Sequence, residues 1–142
     1  MSTDVHRRQR AERVGLLAVN HDPANAALVR RSIAADLAGR AIAAEHIDDV
    51  VLVASELVSN AVMHTAGDQL DDELDVLWDV QPDCVVVQVT DASPDLPRRR
   101  PTNPADARGR GLSIVAALAL DWGVRRTESG KQVWARVPIA LA

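Results

Sequence analysis

Aromatic residues are scarce in this 142-residue chain, which has three Trp and no Phe or Tyr. Its core must therefore be built from Val, Leu, Ile and Ala, with Trp78, Trp122 and Trp134 as the only large flat side chains. The single cysteine, Cys84, excludes an internal disulfide, and with four scattered His it makes no recognisable zinc spacing. Nowhere do 18 apolar residues run together, so no membrane-spanning helix is expected. The opening MSTDVHRRQRAERV lacks the apolar stretch of a secretory signal, and a cytoplasmic protein with a flexible tail over residues 1–10 is the expectation. Positive charge is not in excess either. The net charge of −4 gives no overall attraction to nucleic acid or membranes, and the short run Arg98-Arg99-Arg100 does not reverse that balance.

What is present fits one soluble globular domain over residues 11–142, with 47% hydrophobic and 25% charged residues. A chain of this length buries roughly two-thirds of its unfolded surface on folding. The stretch Ile47 to Thr65, IDDVVLVASELVSNAVMHT, has a helix's length and contains no Gly or Pro. At about 100° per residue, Ile47, Val50, Val51, Ala54, Val58, Ala61 and Val62 share one arc that should face the core. Glu56, Asn60 and His64, four apart, form a stripe opposite, flanked by Leu52, Val53, Leu57 and Met63. By spacing alone such a stripe is more often a helix's solvated face. A helix apolar almost all round, however, is covered on both sides, and then the stripe lines a cavity where a carboxylate and an amide can hold a divalent cation and polarise a hydroxyl.

Before this helix, Val14 to Val19 reads as a strand closed by the turn Asn20-His21-Asp22-Pro23. From Ala24 the pattern turns helical, with Ala27, Leu28, Ile33, Ala34, Leu37 and Ala38 on its buried side, Gly39 near its end, and Arg30 and Arg31 as surface charges. After it, Leu74 to Val80 alternates strictly, Gln81-Pro82-Asp83 makes a turn, and Cys84 to Asp91 puts Val85, Val87 and Val89 on one face, which reads as an antiparallel hairpin. Asp91 is in phase with those valines, and a carboxylate on the core side needs partners. Residues 92–109 hold four prolines and four arginines without periodicity, either a surface loop or a lid. Leu112 to Leu120 reads as a helix entered from Gly109-Arg110-Gly111, where bare backbone N–H groups can meet phosphate with Arg108 and Arg110 adding charge. Asp121-Trp122-Gly123 is read as the end of that helix, and Val124 to Thr127 with Lys131 to Ile139 as a second hairpin whose inner face is Val133, Ala135, Val137 and Ile139. The whole predicts an α+β two-layer sandwich, a mixed, mostly antiparallel sheet with helices on one face.

Neither familiar phosphate motif is complete: a Rossmann fingerprint would need a third Gly where Ile114 stands, and Gly130-Lys131 is followed by Gln132 instead of Ser or Thr. Taken in order, though, Glu56-Leu-Val-Ser-Asn60-Ala-Val-Met-His64, Asp91-Ala-Ser-Pro94, and Gly109-Arg-Gly-Leu-Ser-Ile-Val115 followed by Gly130-Lys-Gln-Val-Trp134 resemble the N, G1 and G2 boxes of the GHKL (Bergerat-fold) ATPases. Within that group the chain looks most like the small anti-sigma-factor serine/threonine kinases. The resemblance runs from about Val14 to Val137.

It implies a Bergerat ATP-binding fold using ATP and Mg²⁺, with a lid over 92–109. It assigns Glu56 as general base, Asn60 as the Mg²⁺ ligand, and Asp91 as acceptor of the adenine amino group. His64 and Ser93 fall beside the nucleotide, and Arg108, Gly109, Arg110, Gly111 and Leu112 at its phosphates. Two departures stand out: the family's Gly two residues after the Asp is Ser93 here, and its Gly-x-Thr reads Gly130-Lys131-Gln132, so Gln132 replaces a hydroxyl that serves the nucleotide. The implied activity is phosphorylation of an anti-sigma-factor antagonist (a STAS-type protein) and sequestration of a sigma factor by a cytoplasmic homodimer without direct nucleic-acid or membrane contact. The competing implication is a catalytically weak or inactive interaction module on the same fold.

Overall fold

Alternation of apolar and polar residues produces the sheet. The computed structural model describes residues 13–63, 73–91, 113–128 and 130–141. Within these, β1 (Val14–Asn20), β2 (Glu73–Val80), β3 (Cys84–Asp91), β4 (Asp121–Thr127) and β5 (Gly130–Pro138) form one sheet in the order β1-β2-β3-β5-β4. Each of the four pairings is antiparallel. Both expected hairpins form, β2–β3 around Gln81 to Asp83 and β4–β5 with Thr127 opposite Gly130. The last strand inserts between β3 and β4, so β4 becomes an edge.

One face of the sheet is apolar: Leu74, Val76, Trp78, Val85, Val87, Val89, Val133, Ala135 and Val137 are buried there. On the other face Leu16, Ala18 and Arg136 are exposed. Two long helices, α1 (Asn25–Ala38) and α2 (Ala44–Met63), share the core formed by the apolar face, giving the two-layer α+β sandwich. A third helical segment over 113–118 contributes buried Val115. The expected lid over 92–109 and the tail over 1–10 lie outside the described residues.

The inward positions of α1 are Val29, Ile33 and Leu37, all fully buried, at the four-residue spacing of one helix face. Burying each such side chain is worth about 1.5–3 kcal/mol. Leu28, expected inside, is on the exposed side, because the stripe through Ile33 and Leu37 extends back to Val29. Gly39 does cap α1, but with a right-handed φ of −69°, its N–H donating to Ala35 O. The left-handed residue of the connection is Ala41, at φ 57°.

On α2 the buried arc is Val50, Val53, Ala54, Leu57, Val58 and Ala61. Val53 and Leu57 are thus core residues and not flanks of the polar stripe, whereas Ile47, Val51 and Val62 are only partly covered. A helix apolar nearly all round leaves the choice of buried arc to its neighbours, here α1, β3 and β5. One further expectation is corrected. Asp121, Trp122 and Gly123 do not end a helix; they open β4, opposite Arg136, Ala135 and Trp134 of β5. Long-range contacts override the local turn pattern: Leu120 N–H donates to Arg136 O at 2.7 Å, and the Arg136 guanidinium forks onto the Asp121 carboxylate.

Candidate functional site

Three contacts fix which end of each element meets which. The backbone bridge Ile42–Leu141 and the Ala43 N–H bond to Ala140 O hold the start of α2 beside the chain that leaves β5, at the sheet end marked by Cys84 and Pro138. From there α2, 20 residues and so about 30 Å long, packs along β3 and β5 towards the opposite end. An eight-residue strand spans about 27 Å, so the last turns of α2 come to the end where β3 finishes at Asp91. The Arg30 Nη1–H bond to Ser55 Oγ, 3.1 Å, sets α1 antiparallel to α2 and brings the first turn of α1 to that same end. Arg30 is thus exposed, as expected of a surface charge, but also ties the two helices together.

Glu56 and Asn60 lie on consecutive turns of this part of α2, both half-buried. These two members of the stripe are therefore partly covered. Asp91 keeps the phase of Val85, Val87 and Val89 and so faces the helices, with its side chain 13% exposed. Asn60 and Asp91 accordingly belong to one end and one side of the sheet. His64, Ser93, Arg108, Gly109, Arg110, Gly111 and Leu112 lie outside the described residues.

Gln132 is placed elsewhere. It sits opposite Thr90 on β3, and its Nε2 donates to Thr90 Oγ1 at 3.1 Å and Gln88 Oε1 at 3.3 Å, on the sheet face away from the helices. The β5 residue on Asp91's side is its direct partner, Lys131. Inward phase with Val133, Ala135 and Val137 was the available signal for Lys131. His21 is the second functional candidate that the turn pattern conceals. It is fully buried, with Nε2 3.4 Å from Asp91 Oδ1, and it continues the inward phase of Leu17 and Val19 past the end of β1.

A clustered trio of His, Cys, Asp or Glu suited to a metal ion is absent among the described residues. Asn60 supplies a hard amide oxygen and Glu56 a carboxylate one turn away, which suits a Mg²⁺ that takes its remaining ligands from phosphates and water. An antiparallel sheet with its helices on one face is the architecture expected of a GHKL ATP-binding domain.

The chain belongs to the histidine kinase-like ATPase domain family, whose model matches residues 19–137. Membership in an ATPase domain family implies ATP as ligand. Among solved structures it is similar to the RsbU and RsbW domains of Rv1364c from Mycobacterium tuberculosis, with a TM-score of 0.67 and 20% identity. The match covers 91% of this chain and 33% of that one, so the likeness is one of fold. No curated protein sequence matches the chain. None of its described helices is long and apolar enough to cross a membrane.

Proposed function

We propose that this chain is a Mg·ATP-dependent protein serine/threonine kinase and anti-sigma factor, which phosphorylates a small antagonist protein, sequesters a sigma factor and so regulates transcription by partner switching. The observation that carries the reading is the half-buried Glu56–Asn60 pair at the end of the molecule where Asp91 faces the helices. Asp91 accepts a hydrogen bond from the adenine amino group, and Asn60 Oδ1 is the protein ligand for Mg²⁺. When bound there, the cation offsets charge on the phosphates. Glu56 orients the attacking hydroxyl and takes its proton on a carboxylate oxygen. His64 and Ser93 border the nucleotide, and Gly109, Gly111 and Leu112, with Arg108 and Arg110, form the phosphate cradle under a lid over 92–109. The chain acts in the cytoplasm as a homodimer, without direct nucleic-acid or membrane contact.

Transfer of labelled phosphate to a candidate antagonist, wild type against Glu56→Ala, tests the catalytic assignment, and equal labelling removes Glu56 from its role. Asn60→Ala is expected to abolish the magnesium dependence of ATP binding. Thermal unfolding with Mg·ATP separates a second reading, a module that binds partners without turnover. The Gln132 amide, which is bonded to Thr90 and Gln88, favours that reading. At one hundred times its Kd a ligand stabilises by about 2.7 kcal/mol. The absence of any shift at millimolar ATP would favour the module.

A further inference from the structure

We propose that His21 is a positioning residue, whose Nε2–H beside Oδ1 of Asp91 holds that carboxylate in the orientation that reads the 6-amino group of a purine nucleotide. The inference rests on the assignment of Asp91 to adenine given above.

The ring is completely enclosed, and Nε2 lies 3.4 Å from Oδ1 of a carboxylate that is itself only 13% exposed. Enclosing an imidazole costs free energy unless its nitrogens are partnered. The 3.4 Å approach is an ion-pair distance and not an aligned hydrogen bond, and a proton on Nε2 is what lets ring and carboxylate attract. The ring's own place is fixed by the turn around it. Asn25 Nδ2 donates to both the backbone carbonyl and Oδ1 of Asn20, Asp22 N–H donates to Asn20 Oδ1, and Ala24 N–H donates to Asp22 Oδ1. His21 is thus held between the end of β1 and the start of α1 while Asp91 stands two strands away, so the contact joins three elements at the site.

An aspartate side chain has two torsions, and an enclosed ring 3.4 Å from one of its oxygens narrows the range of both. Among the described residues, the register also brings the charged Lys131, the cross-strand partner of Asp91, and Arg126, next in the same row on β4, to this side of the sheet. An ammonium acts as a point charge, whereas the enclosed imidazole is a planar group whose place is set by the turn that carries it. Orientation matters because a site built around a carboxylate discriminates a 6-amino purine, a donor, from a 6-oxo purine, an acceptor, only when its oxygen is aimed at that position.

The test is the ratio of Kd values for Mg·ITP and Mg·ATP in the full chain, measured for wild type, His21→Leu, His21→Gln and Asp91→Asn. Replacing a charge-assisted contact by an apolar side chain is expected to narrow the preference for ATP by about tenfold in His21→Leu. His21→Gln, which keeps an N–H near the position of Nε2, is expected to stay within about twofold of wild type, a rescue that packing alone does not explain. If His21→Leu does not fold, His21→Asn, whose amide is too short to reach Asp91, is compared with His21→Gln by the same ratio. A preference unchanged in His21→Leu or His21→Asn but collapsed in Asp91→Asn overturns the role of His21 and leaves the adenine assignment standing. A preference unchanged in Asp91→Asn overturns both.

Discussion

Asp91 and Lys131 are direct partners across β3 and β5 on the helix-facing side of the sheet, whereas the next residue, Gln132, points to the other side and bonds to Thr90 and Gln88. One position of register therefore decides which of two adjacent residues shares the side of Asp91. Gln132→Ala is expected to leave ATP affinity within about twofold of wild type while lowering stability by about 0.5–1.5 kcal/mol, the net worth of an ordinary hydrogen bond. ATP titration and urea unfolding of the same variant check both halves. A large loss of ATP affinity would place Gln132 in the pocket after all.

Gly15 stands opposite Trp78 in the β1–β2 register, and a Cβ there would overlap the indole. Trp78 has no room to yield cheaply, since its Nε1–H donates to Asp36 Oδ2 at 2.7 Å, and the same oxygen accepts from Arg40 Nε at 3.2 Å. Gly15→Ala should therefore destabilise by about 1–3 kcal/mol, the usual cost of overpacking. Denaturant unfolding followed by tryptophan fluorescence is the measurement, and a variant as stable as wild type would mean that the indole moves freely.

Ala41 adopts φ 57° between α1 and α2. A left-handed conformation costs an alanine about 1–2 kcal/mol, and glycine escapes that cost while adding some freedom to the unfolded chain. Ala41→Gly is accordingly expected to stabilise by about 0.5–1 kcal/mol. A lower melting temperature would contradict this.

Cys84 is buried, and burial, with Asp83 adding to it, raises its thiol pKa above the ordinary 9.0. The unfolded thiol ionises first as pH rises. Above about pH 9 the unfolded chain then binds fewer protons than the folded one, so stability falls with pH until the folded thiol also ionises. The slope from this one group cannot exceed about 1.4 kcal/mol per pH unit. Urea midpoints at pH 8 and pH 10 should diverge in wild type more than in Cys84→Ala; equal divergence would show that other groups cause the alkaline loss.

Elements that rest on local pattern are legible in the sequence. The β2–β3 hairpin follows from strict alternation around Gln81-Pro82-Asp83, and α2 from a long apolar run without breakers. Where the pattern admits more than one arc, packing decides among them. Leu28 and Val29 are adjacent apolar residues that place the stripe of α1 on different arcs, and Leu57 lies on an almost wholly apolar helix with several acceptable arcs. Asp121-Trp122-Gly123 looked like a helix end because its strand pairing depends on Arg136 and its neighbours, which are distant in sequence.

By itself, then, the sequence determined the kinds of element, the two hairpins and the family-like order of Glu56, Asn60 and Asp91, since each depends on residues close together in the chain. Only the tertiary structure decided that β5 lies between β3 and β4, that Lys131 and not Gln132 shares a side with Asp91, and that the turn residue His21 sits enclosed beside that carboxylate. Register and enclosure are properties of surfaces brought together from distant segments, and local spacing carries no record of them.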